Sequence, residues 1–196
     1  MHKDIIPFTP KGELTPPISK SYCHRYLIAA FCAGVEIDPS KVNFCDDVIY
    51  TYMGLNLLKS IFESKSNLKT IKINVGQSAS TLRMLLLVAT YICDEVIFVG
   101  DSTLFARPLK PFLGILERQK IEYELGNDYL KVKGKISIED FDIDGSVSSQ
   151  FISGLLFLSA FANRKYPDAV KKKGTGRRVS TPSPLSSQKC PAKGSV

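Results

Sequence analysis

Ser78-Ala79-Ser80-Thr81-Leu82-Arg83-Met84-Leu85-Leu86-Leu87-Val88-Ala89-Thr90-Tyr91 lies between two strand-like segments, one marked by Ile71 and Ile73 and the other spanning Glu95–Val99. Small hydroxyl residues crowd its start and an apolar run fills its body. The pattern predicts a helix opened by Ser78 and running to about Tyr91. Strand, helix and strand with short connections point to an α/β-type class. The same grammar extends outward. Downstream, Pro108 stands where a helix from Leu109 to Gln119 would begin, because proline suits the first helical turn. Ile121–Leu125 and Tyr129–Val132 flank Gly126-Asn127-Asp128, a hairpin turn signal. A strand near Ile136–Ile143 then leads to Ser146–Gln150 and an apolar helix from Phe151 to Ala162. Upstream, Ser19 and Gly34 bracket a helix from Lys20 to Ala33 as N-cap and C′ residue. A strand near Val42–Cys45 and a helix from Asp46 to about Phe62 follow. Residues 3–9 alternate weakly as a strand, and Thr15-Pro16-Pro17 ends it. Ser-rich helix starts thus recur near 19–21, 78–81 and 146–149, a weak internal period.

Composition sets the class. The chain has 196 residues, with 44% hydrophobic and 23% charged residues, as in ordinary globular proteins. No apolar run is long enough for a membrane span, and Met1-His2-Lys3-Asp4 does not read as a signal peptide, so a cytoplasmic protein is expected. Cys23, Cys32, Cys45, Cys93 and Cys190 show no zinc-type spacing and read as free thiols in a reducing compartment. The net charge of +7 is uneven: residues 1–162 hold 17 basic and 18 acidic side chains, residues 163–196 hold 9 and 1. The body therefore carries no nucleic-acid footprint. The tail, with Lys171-Lys172-Lys173 and Thr181-Pro182-Ser183-Pro184, is too poor in large apolar residues to offset its ordering entropy. It reads as a disordered basic tail or as a shifted reading frame.

The Ser-rich helix starts carry the chemistry. The first turn of a helix offers unpaired N–H groups and a positive dipole end to a phosphate or carboxylate. Ser21 with Arg25 at i+4, and Ser80 with Arg83 at i+3, each put a hydroxyl and a guanidinium on one face. Lys20 adjoins the first pair, and Arg107 precedes another helix start. The plainer alternative is that Ser21, Ser80 and Ser148 only cap helices, and that Lys20 and Arg107 are solvated surface charges. His24 reads as a packing or surface residue, since no carboxylate can be assigned to orient it. Gly76 and Gly100 read as turn glycines.

Four segments in order carry a family resemblance. Pro17-Ile18-Ser19-Lys20-Ser21-Tyr22-Cys23-His24-Arg25 resembles a Pro-Gly-Ser-Lys-Ser-x-x-x-Arg signature, with Asp46-Asp47-Val48 after it. Gly76-Gln77-Ser78-Ala79-Ser80-Thr81-Leu82-Arg83 resembles Gly-Glu/Asn-Ser/Ala-Gly-Ser/Thr-x-x-Arg. Arg107-Pro108-Leu109 and Asp144-Gly145-Ser146-Val147-Ser148-Ser149-Gln150-Phe151 match the two motifs that follow. The chain so resembles the enolpyruvyl transferase family of the shikimate pathway.

That resemblance implies transfer of the enolpyruvyl group of phosphoenolpyruvate to the 5-hydroxyl of shikimate 3-phosphate, with no metal and no organic cofactor. It implies an inverse α/β prism built from repeated βαβαββ units, here about two of three. Residues 1–13 would belong to an absent second domain, 14–162 to a partial enolpyruvyl transferase domain, and 163–196 to the tail. Such a truncated chain is expected to be inactive, and its uncovered apolar surface to favour self-association. Ser21, Arg25, Ser148 and Ser149 would hold shikimate 3-phosphate, with Gln150 at its ring or at the intermediate. Lys20, the Ala79 backbone, Arg107 and Gln150 would face phosphoenolpyruvate, Lys20 and Gln150 being the catalytic candidates, and Ser80 and Arg83 would support that loop. Ala79 replaces a usual glycine, and its methyl group implies tolerance of glyphosate, which competes at that site in the family. The related UDP-N-acetylglucosamine enolpyruvyl transferases typically open the first helix with Lys-Asn and lack Ser-Ser-Gln-Phe. A basic-tailed nucleic-acid-binding protein is the alternative of a different class.

Overall fold

The computed structural model describes residues 9, 11–63, 70–138, 141–143, 146–162 and 170–172. Its elements in order are α1 (Lys20–Ala33), α2 (Asp46–Glu63), β1 (Thr70–Gly76), α3 (Ala79–Ile92), β2 (Glu95–Gly100), α4 (Ser102–Phe105), α5 (Lys110–Arg118), β3 (Glu122–Leu125), β4 (Tyr129–Lys133), β5 (Phe141–Ile143), α6 (Ser149–Ala162) and β6 (Val170–Lys172). This is a mixed α/β architecture.

Helix α3 is its centre. Leu82 and Met84–Thr90 are all buried, as are Thr81 and Ile92. A helix apolar on every side needs cover on every side. The sheet and α2 supply part of it, and α1 and α6 supply the rest. The sheet runs in the order β1-β2-β4-β3. β1 and β2 are parallel, as a crossover through α3 allows, and β4 is antiparallel to both β2 and β3. Ile71, Ile73 and Val75 of β1 turn inward, as do Val96 and Phe98 of β2 and Leu130 and Val132 of β4. Alternate residues of a strand face opposite ways, so these form one apolar surface.

Local chemistry fixes the helix ends. The Ser78 hydroxyl accepts from the Thr81 N–H at 3.2 Å and caps α3. Gly34 ends α1 in the left-handed conformation (φ 67°), its N–H reaching Ala30 and Phe31 carbonyls. Ser19 occupies the N-cap position of α1 but makes no side-chain cap bond. Gly76 has φ +51°, and a Cβ there would meet the Tyr50 ring at 2.2 Å, so both conformation and space demand glycine. Far from these starts, the last turns meet on one ring: Phe161 of α6 stacks on Phe31 of α1 at 5.4 Å and meets Phe62 of α2 and Tyr91 of α3 edge-on at 5.2 and 6.2 Å.

Two expected strands differ. Val42–Cys45 forms none, because its backbone is engaged locally. Val42 N–H reaches the Pro39 carbonyl, Asn43 N–H the Cys23 sulfur and Cys45 N–H the Asn43 carbonyl, while the Cys45 carbonyl receives Val48 and Ile49 at the start of α2. Of the strand expected over Ile136–Ile143 only Phe141–Ile143 is one; 135–138 are irregular, and 139–140 lie outside the described residues. The α4 turn was not anticipated: Asp101 caps it, accepting from the Thr103 N–H at 2.8 Å. The strand expected at residues 3–9 falls outside the described residues but for Thr9. So does the tail, except Val170–Lys172, which pairs in parallel with β5. Cys23, Cys32, Cys45 and Cys93 are free thiols, and burial pushes the Cys32 thiol up to about 12.

Helices α3 and α6 approach closely at Gly154, where an added Cβ would stand 2.7 Å from the Arg83 carbonyl oxygen and 2.9 Å from the Phe112 ring. Neither neighbour is the far end of a flexible chain. Gly154→Ala is therefore expected to cost about 1–3 kcal/mol by overpacking. Gly114 in α5 has open space around its Cβ direction, so Gly114→Ala is expected to add about 0.5–1 kcal/mol through helix propensity. Urea unfolding midpoints of the two variants, moving in opposite directions, check both expectations.

Candidate active site

The first turns of four helices are tied together by side chains. Lys20, the first residue of α1, donates to the Asp47 carboxylate at the start of α2, Nζ to Oδ2 2.6 Å. This bond, and then the Coulomb attraction of Asp47, raises the Lys20 pKa. The Thr81 hydroxyl, in the first turn of α3, donates to the Asp47 carbonyl at 3.2 Å. The Gln150 amide in α6 donates from Nε2 to the Ser80 hydroxyl at 2.8 Å and accepts at Oε1 from Arg83 Nη1 at 3.1 Å. One side chain thus joins the starts of α3 and α6.

Arg83 points into this junction. Its Nη2 donates to the Pro108 carbonyl at 3.1 Å, and its guanidinium lies 5.0 Å from the centre of the Phe151 ring. Burial, then repulsion from nearby Arg107, lowers its pKa. Arg107 itself is exposed, in the turn between α4 and α5. It also acts on Asp101, whose carboxyl is lowered first by the hydroxyl and N–H of Thr103 and further by Gln77 and Arg107. Positive charge and first-turn N–H groups therefore gather at one end of the helical layer.

The sequence-derived candidates fall into four groups. Lys20, Ser80, Arg83, Gln150 and Arg107 lie in or beside this connected end. Ser148 caps α6, accepting from the Gln150 N–H at 3.2 Å, and Ser149 is the exposed first residue of that helix. Ser21 and Arg25 meet differently from the expectation: Arg25 Nη1 donates to the Ser21 carbonyl at 3.0 Å, not to its hydroxyl. The capping alternative suits Ser148 alone among the three serines, since Ser21 and Ser80 are second residues of their helices. Ala79 is half-buried, its methyl against the apolar core. Its N–H, a first-turn donor without an intrahelical acceptor, is the group it can offer a ligand.

Asp47 and a buried chain beneath the site were not among the candidates. His24 is fully buried on α1 and bonds Thr51 of α2, Nδ1 to Oγ1 2.7 Å; Thr51 Oγ1 lies 2.7 Å from Thr81 Oγ1. The signal in the sequence was positional. Thr51 sits three residues after Val48 and four before Leu55, and His24 three before Leu27, so each is a polar residue on an apolar helix face. A cavity of about 620 Å³ opens at the opposite end, between the last turns of α1 and α2 and Phe161, and holds none of these residues. Among the described residues, no helix is long and apolar enough to cross a membrane.

A family model described as EPSP synthase (3-phosphoshikimate 1-carboxyvinyltransferase) matches residues 9–171. Among curated proteins, the chain is similar to the 3-phosphoshikimate 1-carboxyvinyltransferase of Clostridium kluyveri, 37% identical over 166 residues, covering 78% of this chain and 39% of that protein. That of Clostridium novyi is 34% identical over 179 residues, 80% of this chain and 41% of the relative. That of Clostridioides difficile is 30% identical over 177 residues, with 79% and 40% covered. The chain spans about two fifths of the length of the curated relatives it matches.

The buried imidazole makes stability depend on pH. Burial drives His24 from the ordinary 6.5 down to about 4, against the attraction of Asp47 and with the repulsion of Lys20 and Arg25. The neutral ring is thus the native form, and the unfolded chain takes up this proton first as pH falls. The contribution is complete above about 6.5 and is lost between there and about 4. Between pH 7 and 4.5 the native protein is expected to lose roughly 2–3 kcal/mol more than His24→Asn, read from urea midpoints.

Proposed function

Because this chain belongs to the EPSP synthase family, we propose that its helical layer forms the shikimate 3-phosphate side of an enolpyruvyl transferase site. The reaction moves the enolpyruvyl group of phosphoenolpyruvate to the 5-hydroxyl of shikimate 3-phosphate and releases phosphate. Ser21, Arg25, Ser148 and Ser149 hold the sugar phosphate. Gln150 faces its ring or the tetrahedral intermediate. Lys20, the Ala79 N–H and Arg107 face phosphoenolpyruvate, and Ser80 and Arg83 hold the loop behind them. Neither the UDP-N-acetylglucosamine relative nor a nucleic-acid-binding protein is favoured, since the family match and the named relatives are of the shikimate enzyme.

The observation that carries this reading is the Gln150 bridge, which brings the Ser80–Arg83 and Ser148–Gln150 segments to one place from 67 to 70 residues apart in the chain. The chemistry agrees with the charge. Both substrates are anionic, and the addition intermediate concentrates that charge; fixed donors and cations oriented in advance stabilise it without reorganisation. The element order β1-α3-β2-α4-α5-β3-β4, with the one-turn α4 preceding the second crossover helix, supports a βαβαββ unit at residues 70–133, one repeat of a prism of three. On this reading residues 1–13 belong to another domain, 14–162 to a partial enolpyruvyl transferase domain and 163–196 to a basic tail, although the family match runs on to Lys171.

The test is calorimetric titration of residues 1–196 with shikimate 3-phosphate. Saturable binding is expected, weakened about 10-fold or more in Arg25→Ala and in Gln150→Ala, as loss of a charge-assisted or bridging bond implies. Lys59→Ala, at the far end of α2, is expected to bind as the native chain does. Absence of binding, or equal affinity in all variants, overturns the assignment.

A further inference from the structure

The Gln150 bridge accounts for α3 and α6; beneath the Lys20–Asp47 pair, α1, α2 and α3 are also joined by buried groups. Five groups connect under the site in a chain that branches at Thr81: the His24 ring, the Thr51, Thr81 and Ser78 hydroxyls and the Asp47 carbonyl. His24, Thr51, Ser78 and Thr81 are all buried. Buried polar groups at this density must satisfy one another.

Counting protons orients these bonds. The Thr81 hydroxyl is the donor both to the Ser78 oxygen at 2.8 Å and to the Asp47 carbonyl at 3.2 Å, so its one proton is shared between them. It has no second hydroxyl proton, so its 2.7 Å contact with Thr51 is a bond it receives. Thr51 supplies that proton, which leaves its oxygen free to accept from His24. The ring therefore carries its proton on Nδ1. Within this relay, His24 Nε2 is left without a partner, as a lone pair. The opposite tautomer would strand an N–H in the core, and orphaned donors are the rarer case.

We propose that His24, acting through Thr51 and Thr81, is a positioning residue: it begins a one-way hydrogen-bond relay that ends on the Asp47 carbonyl and so sets the carboxylate that holds Lys20. The inference rests on the reading of Lys20 as a substrate-facing cation. His24 touches no ligand in this account. It fixes where the Asp47 backbone stands relative to α1 and α3, and with it the direction in which the Lys20 ammonium is held.

The relay is tested on residues 1–196 by three readings, each on variants confirmed folded by circular dichroism. Multiple-bond proton–nitrogen spectra of the histidines are expected to give the Nδ1–H tautomer for His24; the Nε2–H form overturns the relay. The Lys20 ammonium titrates above ordinary lysine in the native chain. It is expected to fall back in Thr51→Val and His24→Gln, and to hold in Thr51→Ser and in His24→Asn, whose amide can donate from the Nδ1 position. Unchanged titration in the first pair overturns the positioning role. Shikimate 3-phosphate affinity is expected to weaken about 3- to 10-fold in Thr51→Val and to stay within about twofold in Thr51→Ser. Equal affinity in these two variants likewise overturns the positioning role. If the native chain binds no shikimate 3-phosphate, the proposed function falls, while the tautomer and the Lys20 titration still decide the relay.

Discussion

Where a helix start is buried, the donors on that side must be satisfied from within the protein, because water cannot reach them. Helix α3 meets this constraint, and much of the molecule follows from how it does so. Ser78 takes the Thr81 N–H; Thr81 in turn reaches the Asp47 carbonyl and Thr51, and Thr51 reaches His24. Satisfying one buried helix start thus brings two more helices into fixed register beside it. On its other side the Ser80 hydroxyl and Arg83 are met by Gln150, which draws in the start of α6. The candidate site is the outer surface of a structural solution to a burial problem.

The charges at that surface are balanced rather than free. Lys20 leans on Asp47, Asp101 lies within the field of Arg107, and Arg83 is spread over an amide, a carbonyl and an aromatic face. On the proposed reading an arriving anion would not meet bare cations; it would compete with Asp47 for Lys20 while adding attraction for Arg107. Such an exchange holds cations in place before binding, and preorganisation is where the electrostatic advantage of an enzyme site resides. On the same reading Arg83, turned inward onto Gln150, Pro108 and Phe151, would contribute shape and field more than a direct grip.

Much of this was legible in the sequence. Helix ends were readable wherever the cap chemistry was local, as at Gly34 and Ser78, and the hairpin was readable from Gly126-Asn127-Asp128. Val42–Cys45 misled because short apolar segments look like strands whether or not a partner strand exists, and here a local bond to Pro39 and a longer-range one to the Cys23 sulfur engaged the backbone. The site candidates emerged from serine and arginine spacing on single helices. What stayed hidden was pairwise and long-range: Asp47 under Lys20, Gln150 between Ser80 and Arg83, and Thr51 against His24 and Thr81. Each of these is a contact across 27 or more residues, and helical periodicity carries no information about which faces will meet.

The Phe161 ring closes the opposite end of the same layer, touching the last turns of α1, α2 and α3. The helices are therefore clasped at both ends, by hydrogen bonds at one and by aromatic contact at the other. A segment held this way has no cheap partial opening. Its amide protons exchange with solvent when the whole layer comes apart, so α3 should report the global unfolding free energy while the exposed edge strand β3 exchanges through local fraying. Breathing of the site and cohesion of the distant aromatic clasp then become a single cooperative event, and a perturbation at Phe161 would be felt as a change in how long the anion-facing end stays intact.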